Sequence, residues 1–152
     1  MNQHAQGADI VFIVTMTVAI LCAGALVSGV FADNGDDQKW LRSWRALPTG
    51  QNTLKRTAQH SLQLDCESGT GLVTGQGSDP EIMLRWSDDG GHTWSNEHWK
   101  PMGRIGEYGT RVIWRRLGMT EKLRDRVYEI SGTDPVKIAI MAAELDVAAT
   151  RA

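Results

Sequence analysis

The sequence predicts a mainly β protein: an antiparallel β domain, propeller-like or sandwich-like, preceded by an N-terminal hydrophobic helix. Short segments in which apolar and polar residues alternate are typical of strands with one buried face. The 152 residues include 16 glycines and four prolines, which favours many turns and little long helix. Six tryptophans against two phenylalanines and two tyrosines also favour strands and interfaces, because Trp combines a large apolar ring with a polar N–H.

The alternation begins near Ser61, where Leu62, Leu64 and Cys66 are separated by polar residues. Antiparallel strands joined by short turns would bury such residues on a shared face. We therefore expect the β domain to span residues 60–152. Three later segments alternate in the same way: 82–87, 111–115 and 127–130. A fourth segment, 136–147, is a long apolar stretch. We expect it to be a final strand, although part of it would tolerate a helix.

The first 32 residues form a hydrophobic N-terminal segment, in which no charged residue occurs from Ile10 to Ala32. A helix of this length would be about 34 Å long, enough to cross a hydrocarbon core. Three interpretations stay open: a transmembrane helix at residues 10–32, a cleaved signal peptide, or an element buried in an assembly, where the density of β-branched residues also allows a strand. The basic residues that follow, beginning at Lys39, would place the C-terminal domain in the cytoplasm.

Residues 33–59 are expected to be a polar connector. Asn34-Gly35 and Pro48-Thr49-Gly50 are turn signals. Between them, four apolar residues recur at helical spacing and predict a short amphipathic helix at about 38–47. These four are Trp40, Leu41, Trp44 and Leu47.

The sharpest local pattern is Ser-x-Asp-x-Gly-x-Thr-Trp, known as an Asp box, and it predicts a hairpin turn. A short carboxylate can accept hydrogen bonds from nearby backbone N–H groups, and glycine adopts positive φ without steric cost. The turn needs no substrate, so we interpret the carboxylate as a fold element rather than a catalytic group. The residues of the pattern are Ser87, Asp89, Gly91, Thr93 and Trp94.

A basic stretch follows the Asp box and is richer in arginine than in lysine. Arginine favours bidentate pairing with phosphate or carboxylate. The stretch is therefore interpreted as contacting DNA or a neighbouring subunit, with a solvated face as the alternative. The net charge of −2 argues against a generally basic nucleic-acid binder but leaves room for a local patch. The candidate contact residues are Arg104, Arg111, Arg115 and Arg116.

The sequence has no pattern that predicts catalysis, a metal site or a cofactor. The two cysteines, Cys22 and Cys66, lack metal or redox spacing, and His92 and His98 form no recognised ligand set. No phosphate-binding loop or nucleophile elbow occurs. A glycosidase of the sialidase type would need several Asp boxes, and only one is present. We therefore expect that the protein is not an enzyme.

Several segments, in one order, resemble the C-terminal region of the packaged-DNA stabilisation proteins of short-tailed bacteriophages, also described as tail hub or nozzle proteins. The resemblance covers about two-thirds of the chain, from about Trp44 to Val147. The segments that carry it are Arg45–Pro48, Ser61–Glu67, Gly75–Pro80, Leu84–Glu97, Gly103–Tyr108, Trp114–Gly118 and Arg124–Glu129.

The resemblance implies a structural component of the virion tail, without catalytic residues, in a β-rich fold. It implies a homo-oligomeric ring below the portal and adaptor that helps to form or close the DNA exit channel, contacts packaged DNA and connects to the distal tail. The usual members are several times longer, so this chain is expected to be either a short relative with another mode of attachment or a gene fragment. An incomplete propeller would leave open strand edges that need partners.

A membrane-anchored, β-rich binding module for a glycan or a host envelope protein is the alternative function. It accounts better for the uncharged run at residues 10–32, which would then place the chain in the host inner membrane. A helix hidden in the virion and released on infection would combine the two hypotheses.

Overall fold

The computed structural model describes residues 12–14, 32–33, 36–46, 56–120 and 126–149, and within these ranges every regular element is a β-strand. The alternating segments form strands because each has one face to bury and one to expose. The ten strands are β1 (Phe12–Val14), β2 (Ala32–Asp33), β3 (Asp36–Asp37), β4 (Trp40–Arg45), β5 (Thr57–Cys66), β6 (Glu81–Ser87), β7 (His98–Pro101), β8 (Val112–Met119), β9 (Val127–Gly132) and β10 (Ile140–Ala149).

Eight of the strands form two four-stranded sheets. The first sheet has the order β1-β10-β5-β8 and the second has the order β4-β9-β6-β7, while β2 and β3 pair with each other. All neighbouring strands are antiparallel. The predicted antiparallel β class is therefore confirmed, and its architecture is two facing sheets.

The hydrophobic core lies between the two sheets. Leu62 of β5 and Val112 of β8 come from the first sheet, and Ile82, Leu84 and Ile130 from the second; all five are fully or almost fully buried in one cluster. Full burial of such a side chain contributes about 1.5–3 kcal/mol. The core thus joins the sheets into a sandwich.

The helix predicted at residues 38–47 is wrong, because Trp40–Arg45 is strand β4. This strand pairs along its whole length with β9, from Trp40 opposite Gly132 to Arg45 opposite Val127. Trp40 and Trp44 are four residues apart, a spacing that satisfies both the helical period and the strand period. Both pack against the core while Leu41 is exposed, so this part of the predicted connector belongs to the second sheet.

The described part of the N-terminal hydrophobic run is also a strand rather than a helix. Phe12–Val14 pairs with β10, and Ile13 lies opposite Glu144. Ala32, at the end of the run, lies in β2. Residues 10–11 and 15–31 lie outside the described residues, and with them the transmembrane-helix, signal-peptide and buried-element interpretations. Within the part of the chain that is described, no helix is long and apolar enough to span a membrane.

Candidate functional site

A cleft of about 490 Å³ opens between the last strands of the two sheets, β7 and β8. Strand β7 is at the edge of the second sheet and β8 is at the edge of the first, so neither has a further strand on its outer side among the described residues. The cleft carries both aromatic and charged side chains. It is lined by Trp86, His98, Trp99, Lys100, Ile113, Trp114, Arg115, Arg116 and Leu117.

Aromatic rings form one part of the cleft. His98 stacks on Trp86 with ring centroids 4.7 Å apart and an interplanar angle of 13°. The neighbouring Trp99 is 51% exposed. Trp114 is buried, and its indole Nε1 donates a hydrogen bond of 2.8 Å to the carbonyl of His98. This bond links β8 to β7 and therefore holds the two sheet edges together at the cleft.

Cationic side chains form the other part of the cleft. Lys100 is half-buried, and Arg115 and Arg116 are exposed. Among the described residues, none of these three cations has a carboxylate within ion-pair distance. The cleft therefore carries a local positive charge that no carboxylate of the described residues compensates, and it suits an anionic partner.

A β-bulge shapes the basic side of the cleft. Ser61 of β5 lies opposite Arg115, but Gln59 lies opposite Gly118, so β8 contains one residue more than its partner at this point. Arg116 has a φ of 62° and is the one non-glycine residue with positive φ in the described chain. Bulges redirect side chains next to sites, and a left-handed arginine costs about 1 kcal/mol or more.

The Asp89 carboxylate is fully used in closing the loop between β6 and β7. The Ser87 hydroxyl donates to Asp89 Oδ1 at 2.6 Å, and the backbone N–H groups of His92 and Thr93 donate to the same atom at 2.9 Å. The Thr93 hydroxyl donates to Oδ2 at 2.7 Å. Hydrogen bonds from Ser87, then Thr93 and the backbone, hold the pKa of Asp89 well below its usual range.

The remaining members of the predicted turn lie around this carboxylate. Gly91 has a φ of 105° and its N–H donates to the Ser87 hydroxyl at 2.9 Å. The ring of Trp94 lies under the guanidinium of Arg85, with the Arg85 Cζ 4.7 Å from the ring centroid. The interactions of the loop are therefore internal to the fold.

The four candidate arginines fall in three places. Arg115 and Arg116 line the cleft, Arg111 is exposed just before β8, and Arg104 pairs with Asp79 at 3.0 Å in a loop region outside the cleft. Sequence reasoning missed the contribution of β7. The sequence pattern that could have indicated β7 is the run of aromatic and basic residues His98-Trp99-Lys100. A similar pair, Trp114-Arg115, lies on β8 at the other side of the cleft.

The comparison with known families agrees with this architecture. Residues 39–148 match the family described as bacteriophage P22 Gp10, beta-sandwich. The chain belongs to this family. The Gp10 match begins just before β4 and ends within β10, so it includes the complete second sheet and the cleft. The Gp10 family is a family of phage structural domains, which confirms the phage class of the resemblance, and its sandwich replaces the propeller-like alternative. No curated protein matches the chain significantly.

Proposed function

We propose that the chain is a structural component of a phage tail or head-completion assembly, located in the virion, that helps to form or close the DNA exit channel. The observation that carries the proposal is the Gp10 family match over residues 39–148. The portal, the adaptor and the distal tail proteins are its proposed partners, and a homo-oligomeric ring its proposed arrangement.

An apolar surface at one end of the sandwich supports a role in assembly. Two loops, 67–80 and 102–111, lie side by side there: Gly106 N donates to the carbonyl of Gly69 at 3.3 Å, and the Ser68 hydroxyl donates to the carbonyl of Tyr108 at 2.9 Å. Their exposed apolar side chains are Leu72, Val73, Ile105 and Tyr108, called here the loop-end patch.

The exposure of the loop-end patch favours a protein partner. Val73 is 79% exposed and Tyr108 is 76% exposed. Apolar residues exposed together are typical of interaction sites, and an aromatic residue such as Tyr108 is a suitable anchor. The outer edge of β4, at the other side of the second sheet from β7, offers additional backbone groups to neighbouring subunits.

Mass spectrometry of gradient-purified particles, alongside the host membrane fraction, tests the proposal. We expect the chain in particles at a fixed ratio to the portal protein. We expect Val73→Ser and Tyr108→Ser to reduce incorporation, because they remove exposed apolar contacts without touching the core. Met141→Ser is the matched control, since Met141 is an exposed apolar residue on β10. A chain found only in host membranes would overturn the proposal in favour of a membrane-anchored module.

A further inference from the structure

We propose that the cleft between β7 and β8 binds a single strand of nucleic acid, with Lys100, Arg115 and Arg116 on the phosphates and Trp99 beneath a base. This inference goes beyond the proposed function, because the chemistry of the cleft alone specifies the ligand.

The three cations favour a chain of phosphates over an isolated anion. They come from two strands in different sheets, and none is neutralised by a described carboxylate. Like charges brought together around a cleft repel one another, and a polyanion relieves that repulsion. Phosphate groups along a strand match several separate cations, and arginine binds them in a bidentate manner.

The aromatic side chains favour a strand with unpaired bases. Trp99 is half-exposed at the cleft, and the His98–Trp86 stack continues the aromatic surface next to it. A positively charged groove with exposed aromatic rings is the arrangement by which proteins bind single strands without sequence preference. The bases of a duplex are stacked on one another, so they cannot use these rings.

The same residues disfavour a neutral sugar and an added peptide strand. None of the nine described residues that line the cleft has a carboxylate, carboxamide or hydroxyl side chain, and these are the side chains that would accept hydrogen bonds from several sugar hydroxyls at once. Strand addition is disfavoured because β7 has only four residues and β8 is interrupted by the bulge at Arg116. Both features protect sheet edges from pairing. We therefore expect the cleft to recognise its ligand through side chains rather than through backbone groups.

Fluorescence anisotropy of the full chain with a labelled oligodeoxythymidylate of about 12 nucleotides tests the inference. Three phosphate contacts at about 0.7 each predict a slope of about −2 for the logarithm of affinity against the logarithm of salt concentration. Trp99→Ala should weaken binding roughly tenfold with the slope unchanged, since it removes one stacked base.

Charge variants separate the cleft from the rest of the surface. Arg115→Gln combined with Arg116→Gln should reduce the slope to about −0.7, because only one phosphate contact stays. Arg42→Gln is the matched control: Arg42 is also an exposed strand arginine, but it lies on β4, at the opposite edge of the second sheet from β7. It should leave both affinity and slope unchanged. Unfolding midpoints of all variants show whether any loss of binding reflects loss of fold.

Four results would overturn the inference. The first is no binding at low salt. The second is equal binding of duplex and single strand with no effect of Trp99→Ala, which would indicate phosphate contact alone. The third is complete displacement of the strand by anionic lipid vesicles, which would indicate a membrane surface, and the fourth is loss of self-association, rather than of DNA binding, in the arginine variants. A chain that is incorporated into particles but does not bind the strand refutes the cleft and leaves the proposed function. A chain that binds the strand but is not incorporated into particles supports the cleft and refutes the proposed function.

Discussion

Arg126 and Asp88 form a buried, two-point ion pair, with Nε to Oδ1 at 2.5 Å and Nη2 to Oδ2 at 2.7 Å. The Arg126 side chain is only 2% exposed. The same guanidinium donates to the carbonyl of Leu117 at 2.7 Å and to that of Met119 at 3.1 Å. One side chain, just before β9, therefore connects the loop after β6, in the second sheet, to the end of β8, in the first.

Asp88→Ala should destabilise the fold strongly. The substitution leaves a buried guanidinium without its counter-charge, which costs about 3–5 kcal/mol of unfolding free energy. Asp79→Ala is the control, because the Asp79–Arg104 pair is exposed at 47% and 65%, and solvent screens such a pair so that its loss should change stability little. Urea unfolding measures both. Equal midpoints for the two variants would mean that the Arg126 bond network to β8 suffices without Asp88.

Asp89 should make the stability of the loop after β6 depend on acid pH. Hydrogen bonds lower its folded-state pKa below the ordinary value of 3.8. Its contribution is therefore complete above that value and is lost as pH falls through the lower folded pKa. We expect the melting temperature of the wild type to exceed that of Asp89→Asn by a constant amount near neutral pH, and the difference to shrink below about pH 4. A difference that grows on acidification would contradict this assignment.

The sequence predicted the features that depend on local period. Leu62 and Leu64 alternate with polar residues and are buried in the core, as the strand period requires. The same reasoning failed at Trp40 and Trp44, because a spacing of four residues fits a helix and a strand equally. Their strand partner, β9, is far along the chain, so only the fold decides between the two.

The candidate site was predictable in part for the same reason. Arg115 and Arg116 stand out as a basic pair, but the cleft also needs Trp99 from a strand in the other sheet. No pattern in the sequence predicts that β7 and β8, which belong to different sheets, lie next to each other at the cleft. The bulge at Arg116 is equally hidden, since the extra residue is defined by the register with β5. The Asp88–Arg126 pair joins residues 38 positions apart, which no periodicity reveals.

Tyr128 should ionise only at strongly alkaline pH. Burial raises its pKa to about 12, and the nearby Arg126 offsets only part of that effect. Its hydroxyl donates a hydrogen bond to Gln59 Oε1. The chain has two tyrosines, so Tyr108→Phe leaves Tyr128 as the only one. Its tyrosinate absorbance should appear near pH 12, or together with unfolding.

The sign of this effect on stability follows from the raised pKa. The neutral phenol is favoured in the fold, so its contribution is present below the ordinary pKa of 10.0 and is lost as pH rises towards 12. Tryptophan fluorescence, recorded in parallel, shows when the fold is lost. Tyrosinate formation completed near pH 10, while the fluorescence is still native, would contradict the burial of Tyr128.

Arg116→Gly should separate stability from binding at the cleft. Glycine adopts the left-handed backbone of Arg116 without steric strain, which should raise the free energy of unfolding by about 1 kcal/mol or slightly more. The greater conformational entropy of glycine in the unfolded chain should lower it by about 0.5–1 kcal/mol. We therefore expect a change between about 0 and 1 kcal/mol, in the stabilising direction. Arg115→Gly is the matched control, because Arg115 is exposed on the same strand without positive φ; it should destabilise by about 1 kcal/mol.

Urea unfolding and oligonucleotide binding are measured on both variants. Together they show whether Arg116 serves binding at the cleft or the stability of β8. If Arg116→Gly retains or gains stability but loses affinity for the strand, the arginine is kept at an unfavourable φ because its charge serves the cleft, as strain at functional sites commonly does. If Arg116→Gly loses as much stability as Arg115→Gly, the side chain itself stabilises the edge of β8, and the left-handed conformation is then a consequence of the bulge alone.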